Sequence, residues 1–167
     1  GSLGAQALND VVPQALALFS PHERPRVLHQ SGAAQIERLR ANYAAAGVEA
    51  ELTPFIDDPA RAFAEADLIV CRAGASTVTE IAAIGAAAIF VPFPSAVDDH
   101  QTANARFLVD AGGGWLLPQS ELSPERLADM LRNMERTVLM SKALDAKKMQ
   151  KMNATDAVVA ACEELAA

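Results

Sequence analysis

Aromatic residues are scarce, at 5% of the 167 residues with a single Trp and a single Tyr, although 51% of the chain is hydrophobic. The interior must therefore be built from Ala, Val, Leu and Ile, which suits parallel strands sandwiched between Ala-rich helices. Cysteine is equally sparse. Cys71 and Cys162 are the two present and lack metal-ligand spacing; Cys71 ends an apolar run, as a buried free thiol would, and a reducing cytoplasm is the default setting. Basic charge is short as well: 14 Lys and Arg against 21 Asp and Glu leave a net charge of -7. Phosphate-backbone binding needs a concentration of cations that is missing here, so nucleic acid is not an expected partner, while a nucleotide-sized ligand remains open. No apolar stretch reaches the roughly 18 residues needed to cross a bilayer, and no signal peptide is visible. There is no initiator Met. The chain opens on Gly1-Ser2-Leu3-Gly4, which reads as a loop, so a fragment lacking a preceding strand is expected.

A chain of this length suffices for one α/β domain that buries roughly two-thirds of its unfolded surface. Helical spacing over residues 4–19 is interrupted by Pro13, and a short strand is expected at 26–30. A helix over 34–46 stops at Gly47, a good left-handed terminator. After a strand at 51–54, Asp58-Pro59 opens a helix over 59–66 with a cap and a first-turn proline. Residues 68–71 form a continuous apolar run of the kind buried on both faces. Helix 76–84 closed by Gly85, strand 87–91 stopped by Pro92 and Pro94, and helix 100–111 follow. Gly112-Gly113-Gly114 turns into a strand at 115–117, Ser123-Pro124 starts another helix, and helices near 138–149 and 155–165 end the chain. No internal repeat or low-complexity segment appears. Such alternation implies a Rossmann-like, doubly wound parallel sheet, in which ligands lie beyond the carboxyl ends of the strands.

Three loops then draw notice. Gly1-Ser2-Leu3-Gly4-Ala5 stands directly before a helix, where free N–H groups, the helix dipole and the Ser2 hydroxyl converge on one spot and Gly4 lets backbone approach an anion; an ordinary Gly-rich turn reads the same way. After strand 68–71, Arg72-Ala73-Gly74-Ala75-Ser76-Thr77-Val78-Thr79-Glu80 turns without bulk into a helix. Glu80, one turn in, can lean back over the helix start, where a carboxylate accepts both hydroxyls of a ribose diol. Thr77 and Glu80 also satisfy a T-x-x-E capping box, which needs no ligand. The third loop runs from Pro92 into a helix that carries His100, Gln101 and Asn104 on one face, suited to sugar hydroxyls and phosphate oxygens, or else simply solvated behind Asp98 or Asp99 as cap. Asp98, Asp99 and His100 are too close in sequence to wrap one ion, so no metal site is expected.

The runs GSLGA, FIDD, CRAGASTVTE and PFPSAVDDHQTANA resemble, in order and approximate spacing along essentially the whole chain, the MurG-like family of GT-B glycosyltransferases. That resemblance implies the C-terminal half of a two-domain, inverting enzyme that moves N-acetylglucosamine from UDP-N-acetylglucosamine to lipid I, giving lipid II for peptidoglycan. It implies a diphosphate contact at Ser2, backbone groups of Ile56 offered to uracil, and a donor pocket lined by Ala75, Ser76, Thr77, Val78, Thr79 and Glu80, with Glu80 on the ribose diol. Gln101, and with it His100 and Asn104, would meet the N-acetylglucosamine moiety or nearby phosphates. The resemblance assigns no catalytic base and no cofactor or metal to this half. It gives lipid I and the anionic membrane surface to the N-terminal half, places the whole enzyme peripherally on the cytoplasmic side of the bacterial inner membrane, and lets the helix at 155–165 pack toward that half. Competing readings are another UDP-sugar transferase or epimerase, and a non-catalytic nucleotide-binding α/β module in which Glu80 is merely a cap. A dehydrogenase fits poorly, because no G-x-G-x-x-G follows a strand.

Overall fold

The alternation read from the sequence is realised in a computed structural model that describes residues 6–94, 99–151, 159 and 162–164. Helix α1 spans Gln6–Ala17, strand β1 Leu28–Gln30, α2 Ile36–Ala46, β2 Glu51–Thr53, α3 Pro59–Glu65, β3 Ile69–Cys71 and α4 Ala75–Ile84. Strand β4 (Ala88–Phe90), α5 (His100–Val109), β5 (Trp115–Leu116), α6 (Pro124–Arg132) and α7 (Arg136–Lys148) complete the order. Single 3-10 turns precede α2 at Ala33–Gln35 and α6 at Gln119–Glu121. Within the expected 155–165 helix, residues 159 and 162–164 are helical, and the remainder lies outside the described residues.

Local chemistry explains the ends. The Asp58 side chain accepts from Arg61 N with Pro59 in the first turn of α3, and Ser123 accepts from Arg126 N with Pro124 in the first turn of α6. Gly47 closes α2 at φ 64°, where a Cβ would be strained. The internal proline of α1 is accommodated by a neighbour. Pro13 has no N–H to give to the carbonyl of Asn9 one turn back. Asn42 of α2 supplies the missing donor, its Nδ2 lying 2.9 Å from Asn9 O. A proline that costs a helix hydrogen bond thus becomes an attachment point between α1 and α2.

Pairing is parallel throughout the described strands, in two ladders: β1–β2, with Gln30 opposite Thr53, and β3–β4–β5, with β4 in the middle. The second ladder is covered on both sides, and β4 shows the alternation. Ala88 and Phe90 pack with Ile69, Val78, Ile81, Ala105, Leu108 and Ala146 beneath α4, α5 and α7. Ile89 and Val91 face the other way, toward Leu8 and Ala15 of α1 and Leu127 and Ala128 of α6. Period-2 strand geometry and helices on both faces therefore give the doubly wound α/β fold expected from the sequence. A smaller cluster, Leu16, Leu39, Tyr43 and Val48, joins α1 and α2 under β1–β2.

The turn into β5 has no room for a side chain. A Cβ on Gly114 would lie 2.6 Å from Ala88 O and 3.1 Å from Phe90 Cε2, so glycine is what lets this turn lie against β4.

Candidate functional site

The loops after β2, β3, β4 and β5 are each fastened by a side chain from another element. From the end of β3, Arg72 donates through Nη1 to Val91 O at 3.0 Å and Pro92 O at 3.1 Å, and through Nη2 to Gln119 Oε1 at 2.6 Å. Its guanidinium also lies 5.3 Å from the centre of the Phe93 ring, and partial burial lowers its pKa from the ordinary value. Arg72 thereby ties the ends of β3 and β4 to the turn before α6. Cys71 beside it is a free thiol whose pKa burial pushes up to about 12, which makes it an inert packing group.

The β3–α4 loop departs from the capping-box alternative. Gly74 is the N-cap of α4, with no side-chain cap, and Thr77 falls inside the first turn. Thr77 cannot act as N-cap from there, and Glu80 sits too far along to complete the box. The first-turn N–H groups of α4 have no side-chain acceptor among the described residues. Glu80 is exposed and makes no hydrogen bond or ion pair with the described residues. Ala75 and Ser76 are exposed, and Thr77 is half-buried. Thr79 donates its hydroxyl to Ala75 O at 2.9 Å. Val78 is different: its side chain belongs to the core under β4, so only its backbone can face a ligand.

On α5, Gln101 Oε1 accepts from Phe93 N at 3.0 Å, and Asn104 Nδ2 donates to Ala73 O at 3.1 Å. Both side chains hold the loops after β3 and β4 in register, and the second polar atom of each makes no hydrogen bond among the described residues. His100, in the first turn, is exposed. Asp99 is the N-cap, at φ 48°, and accepts from the Thr102 hydroxyl at 2.6 Å; Asp98 lies outside the described residues, as do Ser2 and Gly4.

Ile56 lies in the loop after β2, where its N–H donates to Gln30 Oε1 at 2.9 Å. A cavity of about 270 Å³ opens between Gln6, Ala7 and Asp10 of α1 and Arg72, Phe93 and Gln119. Gln6 and Ala7 directly follow the Gly1–Ala5 segment, and Phe93 is held by Gln101. The cavity is thus lined by neighbours of the expected site residues, whereas Glu80 stands inside α4 and Ile56 in the loop after β2. Among the described residues, no group of three His, Cys, Asp or Glu side chains is placed to hold a metal ion. No described helix is long and apolar enough to cross a membrane.

Arg72, Gln119 and Gln30 are the residues that sequence reasoning passed over. Polar type at the end of a strand was the available signal, but their partners lie 19 to 47 residues away.

Residues 1–163 match the glycosyltransferase family 28 C-terminal domain. This chain belongs to that family. Among its family 28 relatives, a protein of Albidiferax ferrireducens is 74% identical over 99% of this chain and 42% of its own length. One of Paracidovorax citrulli is 74% identical over 100% of this chain and 47% of its own. Both are named UDP-N-acetylglucosamine–N-acetylmuramyl-(pentapeptide) pyrophosphoryl-undecaprenol N-acetylglucosamine transferase. The crystal structure of Acinetobacter baumannii MurG superposes with a TM-score of 0.88 at 46% identity, covering 98% of this chain and 50% of that one. The glycosyltransferase VinC, crystallised with dTDP, shares the fold at a TM-score of 0.58 and 24% identity. The chain therefore spans less than half the length of the first two family 28 relatives, and the expected relationship to MurG-like GT-B enzymes is established.

Proposed function

We propose that this chain is the donor-binding domain of an inverting glycosyltransferase that takes N-acetylglucosamine from UDP-N-acetylglucosamine and passes it to lipid I, forming lipid II for peptidoglycan. The observation that carries the reading is α4: a helix start without a side-chain cap, and Glu80 on the same helix, exposed and without a hydrogen bond or ion pair among the described residues. The names of the family 28 relatives supply the sugar and the acceptor.

In this reading Glu80 accepts the two ribose hydroxyls. Ala75, Ser76, Thr77 and Thr79, with the backbone of Val78, line the donor pocket, and Ile56 offers backbone groups to uracil. Ser2 and the N–H groups around Gly4 meet the diphosphate at the start of α1. His100, Gln101 and Asn104 meet the sugar or the phosphates. As the acceptor hydroxyl attacks and inverts the anomeric centre, charge grows on the departing UDP. Two helix N-termini stabilise that charge by electrostatics set in place before reaction. The donor is a substrate, and no metal is assigned to this half. Residues 1–167 form one domain; lipid I and an anionic membrane surface belong to the other half of the enzyme, toward which the helix at 155–165 packs. The working location is the cytoplasmic side of the bacterial inner membrane, peripherally bound.

Titration of the chain with UDP-N-acetylglucosamine, UDP-N-acetylgalactosamine and ADP, followed by protein-observed NMR, tests this. Glu80→Ala, checked for an unchanged melting curve, should weaken uridine-ligand binding by about 10- to 100-fold, the equivalent of one lost charge-assisted pair of hydrogen bonds. Equal affinity of Glu80→Ala and the unaltered chain for UDP-N-acetylglucosamine would sink the assignment of Glu80. Indifference of the folded chain to both uridine ligands would sink the donor reading.

A further inference from the structure

The loop after β2 curls back over the ends of its own ladder. Gln30 is the last residue of β1 and stands opposite Thr53, the last of β2. Beyond that pair, Ser31 N donates to Thr53 O at 3.2 Å and Gly32 N to Pro54 O at 3.0 Å. The Thr53 hydroxyl donates to Phe55 O at 2.6 Å. These bonds turn the backbone so that Ile56 N–H faces the end of β1, where it meets a side-chain carbonyl, Gln30 Oε1, at 2.9 Å. Ile56 O makes no hydrogen bond with the described residues. The Phe55 ring next to it is 62% exposed, an apolar surface that nothing described covers.

A backbone donor and acceptor from one residue, beside an exposed ring, match the carbonyl and N–H of a pyrimidine imide edge. In this structure the donor is already taken, and what takes it is an amide carbonyl, the same acceptor chemistry as the base would bring. We infer that Gln30 is an internal surrogate for the base carbonyl: its side chain satisfies Ile56 N–H, competes with an incoming nucleotide for that donor, and so sets the affinity for the base. The inference rests on the donor-binding reading above.

Gln30 is exposed, and its surface hydrogen bond is cheap to break, which suits a placeholder: it keeps the loop shaped for the base and yields to a ligand that adds ribose and phosphate contacts. Replacing the carboxamide by a side chain of like length without the oxygen removes the competitor and leaves the backbone donor.

The experiment is a titration of the 167-residue chain, its Gln30→Met and Gln30→Ala variants, and Glu80→Ala with uridine diphosphate and, as a probe without a base, inorganic pyrophosphate. In the ligand-free state both Gln30 variants should shift the Ile56 amide resonance. Both should bind uridine diphosphate about 2- to 10-fold tighter, the value of one exposed hydrogen bond, and pyrophosphate as the unaltered chain does. Weaker or equal binding of uridine diphosphate, or a gain that extends to pyrophosphate, overturns the surrogate role. If that happens while Glu80→Ala still weakens binding, the donor reading survives and this inference alone fails. If neither the unaltered chain nor any variant takes up uridine diphosphate, both fall together.

Discussion

The two parallel ladders are held in place by different forces. In the β3–β4–β5 ladder, every residue of β4 is buried and the strand alternates between two apolar clusters. Position there is set by volume, to the point that a methyl group at Gly114 would collide with β4. In the β1–β2 ladder, Leu28 and Gln30 are exposed, and the half-buried residue between them is a histidine. His29 is held by Tyr43 Oη at 3.0 Å from Nδ1 and by Asn9 Oδ1 at 3.0 Å from Nε2. As placed, Nε2–H donates to Asn9 and Nδ1 accepts from the tyrosine, leaving Asn9 Nδ2 buried without a hydrogen-bond partner among the described residues; rotating the amide would move the unsatisfied atom to its oxygen. Position here is set by direction and charge state. The lesson is that a loop needing only to be held still can be built on packing, whereas the loop that curls to bring Ile56 over β1 is built on hydrogen bonds, which can exchange partners.

That contrast can be broken at several points. Phe90→Ala, in the middle of the packed ladder, should cost about 3 to 5 kcal/mol, while Leu28→Ala on the other should cost under about 1 kcal/mol. Urea unfolding of the two variants compares them directly, and similar losses would mean that the ladders are held alike.

The histidine supplies the next effect. Burial lowers its pKa from 6.5 to about 4, so the folded state favours neutral His29 and the unfolded chain binds more protons between those values. Stability is then full above about pH 6.5 and falls as the pH drops toward 4, by on the order of 3 kcal/mol. The difference in stability between the unaltered chain and His29→Gln, measured across that window, should carry this slope; a flat difference would remove the polar network from the account.

Gly114→Ala should lower stability by about 1 to 3 kcal/mol through overpacking against Ala88 and Phe90, read as a fall in melting temperature with the pH dependence left intact. The smallest effect belongs to Asn42→Ala, which leaves Asn9 O, already deprived by Pro13, without its donor. A loss of about 1 to 2 kcal/mol is expected, and the double variant Asn42→Ala with Pro13→Ala should recover part of it.

Element types and order were legible in the sequence because each rests on local rules: Asp58-Pro59 and Ser123-Pro124 start helices and Gly47 stops one, all observed. The boundaries of β1 and β2 were expected longer than they are, since extended propensity continues past the residues that find a partner strand. The capping box that Thr77 and Glu80 offered as an alternative is not formed, for a related reason. A four-residue pattern does not say where the helix begins, and the turn after β3 starts it at Ala75, so Thr77 is its third residue and not the residue before it. Of the candidate site, the loops were legible and their internal wiring was not. Gln101 and Asn104 looked like ligand groups, yet each spends one polar atom on a neighbouring loop. The Val78 side chain is part of the core, which leaves only its backbone to a pocket wall.

By itself the sequence determined an α/β chain with an aliphatic interior, parallel strands and small-residue loops at their carboxyl ends, because composition, periodicity and capping act over a few residues. The tertiary structure alone decided which side chains those loops retain for a ligand. Asn42 answers for a proline on another helix, Arg72 reaches Gln119, and Gln30 takes the amide of Ile56. Such pairings depend on distances across the sheet, and no local pattern encodes them.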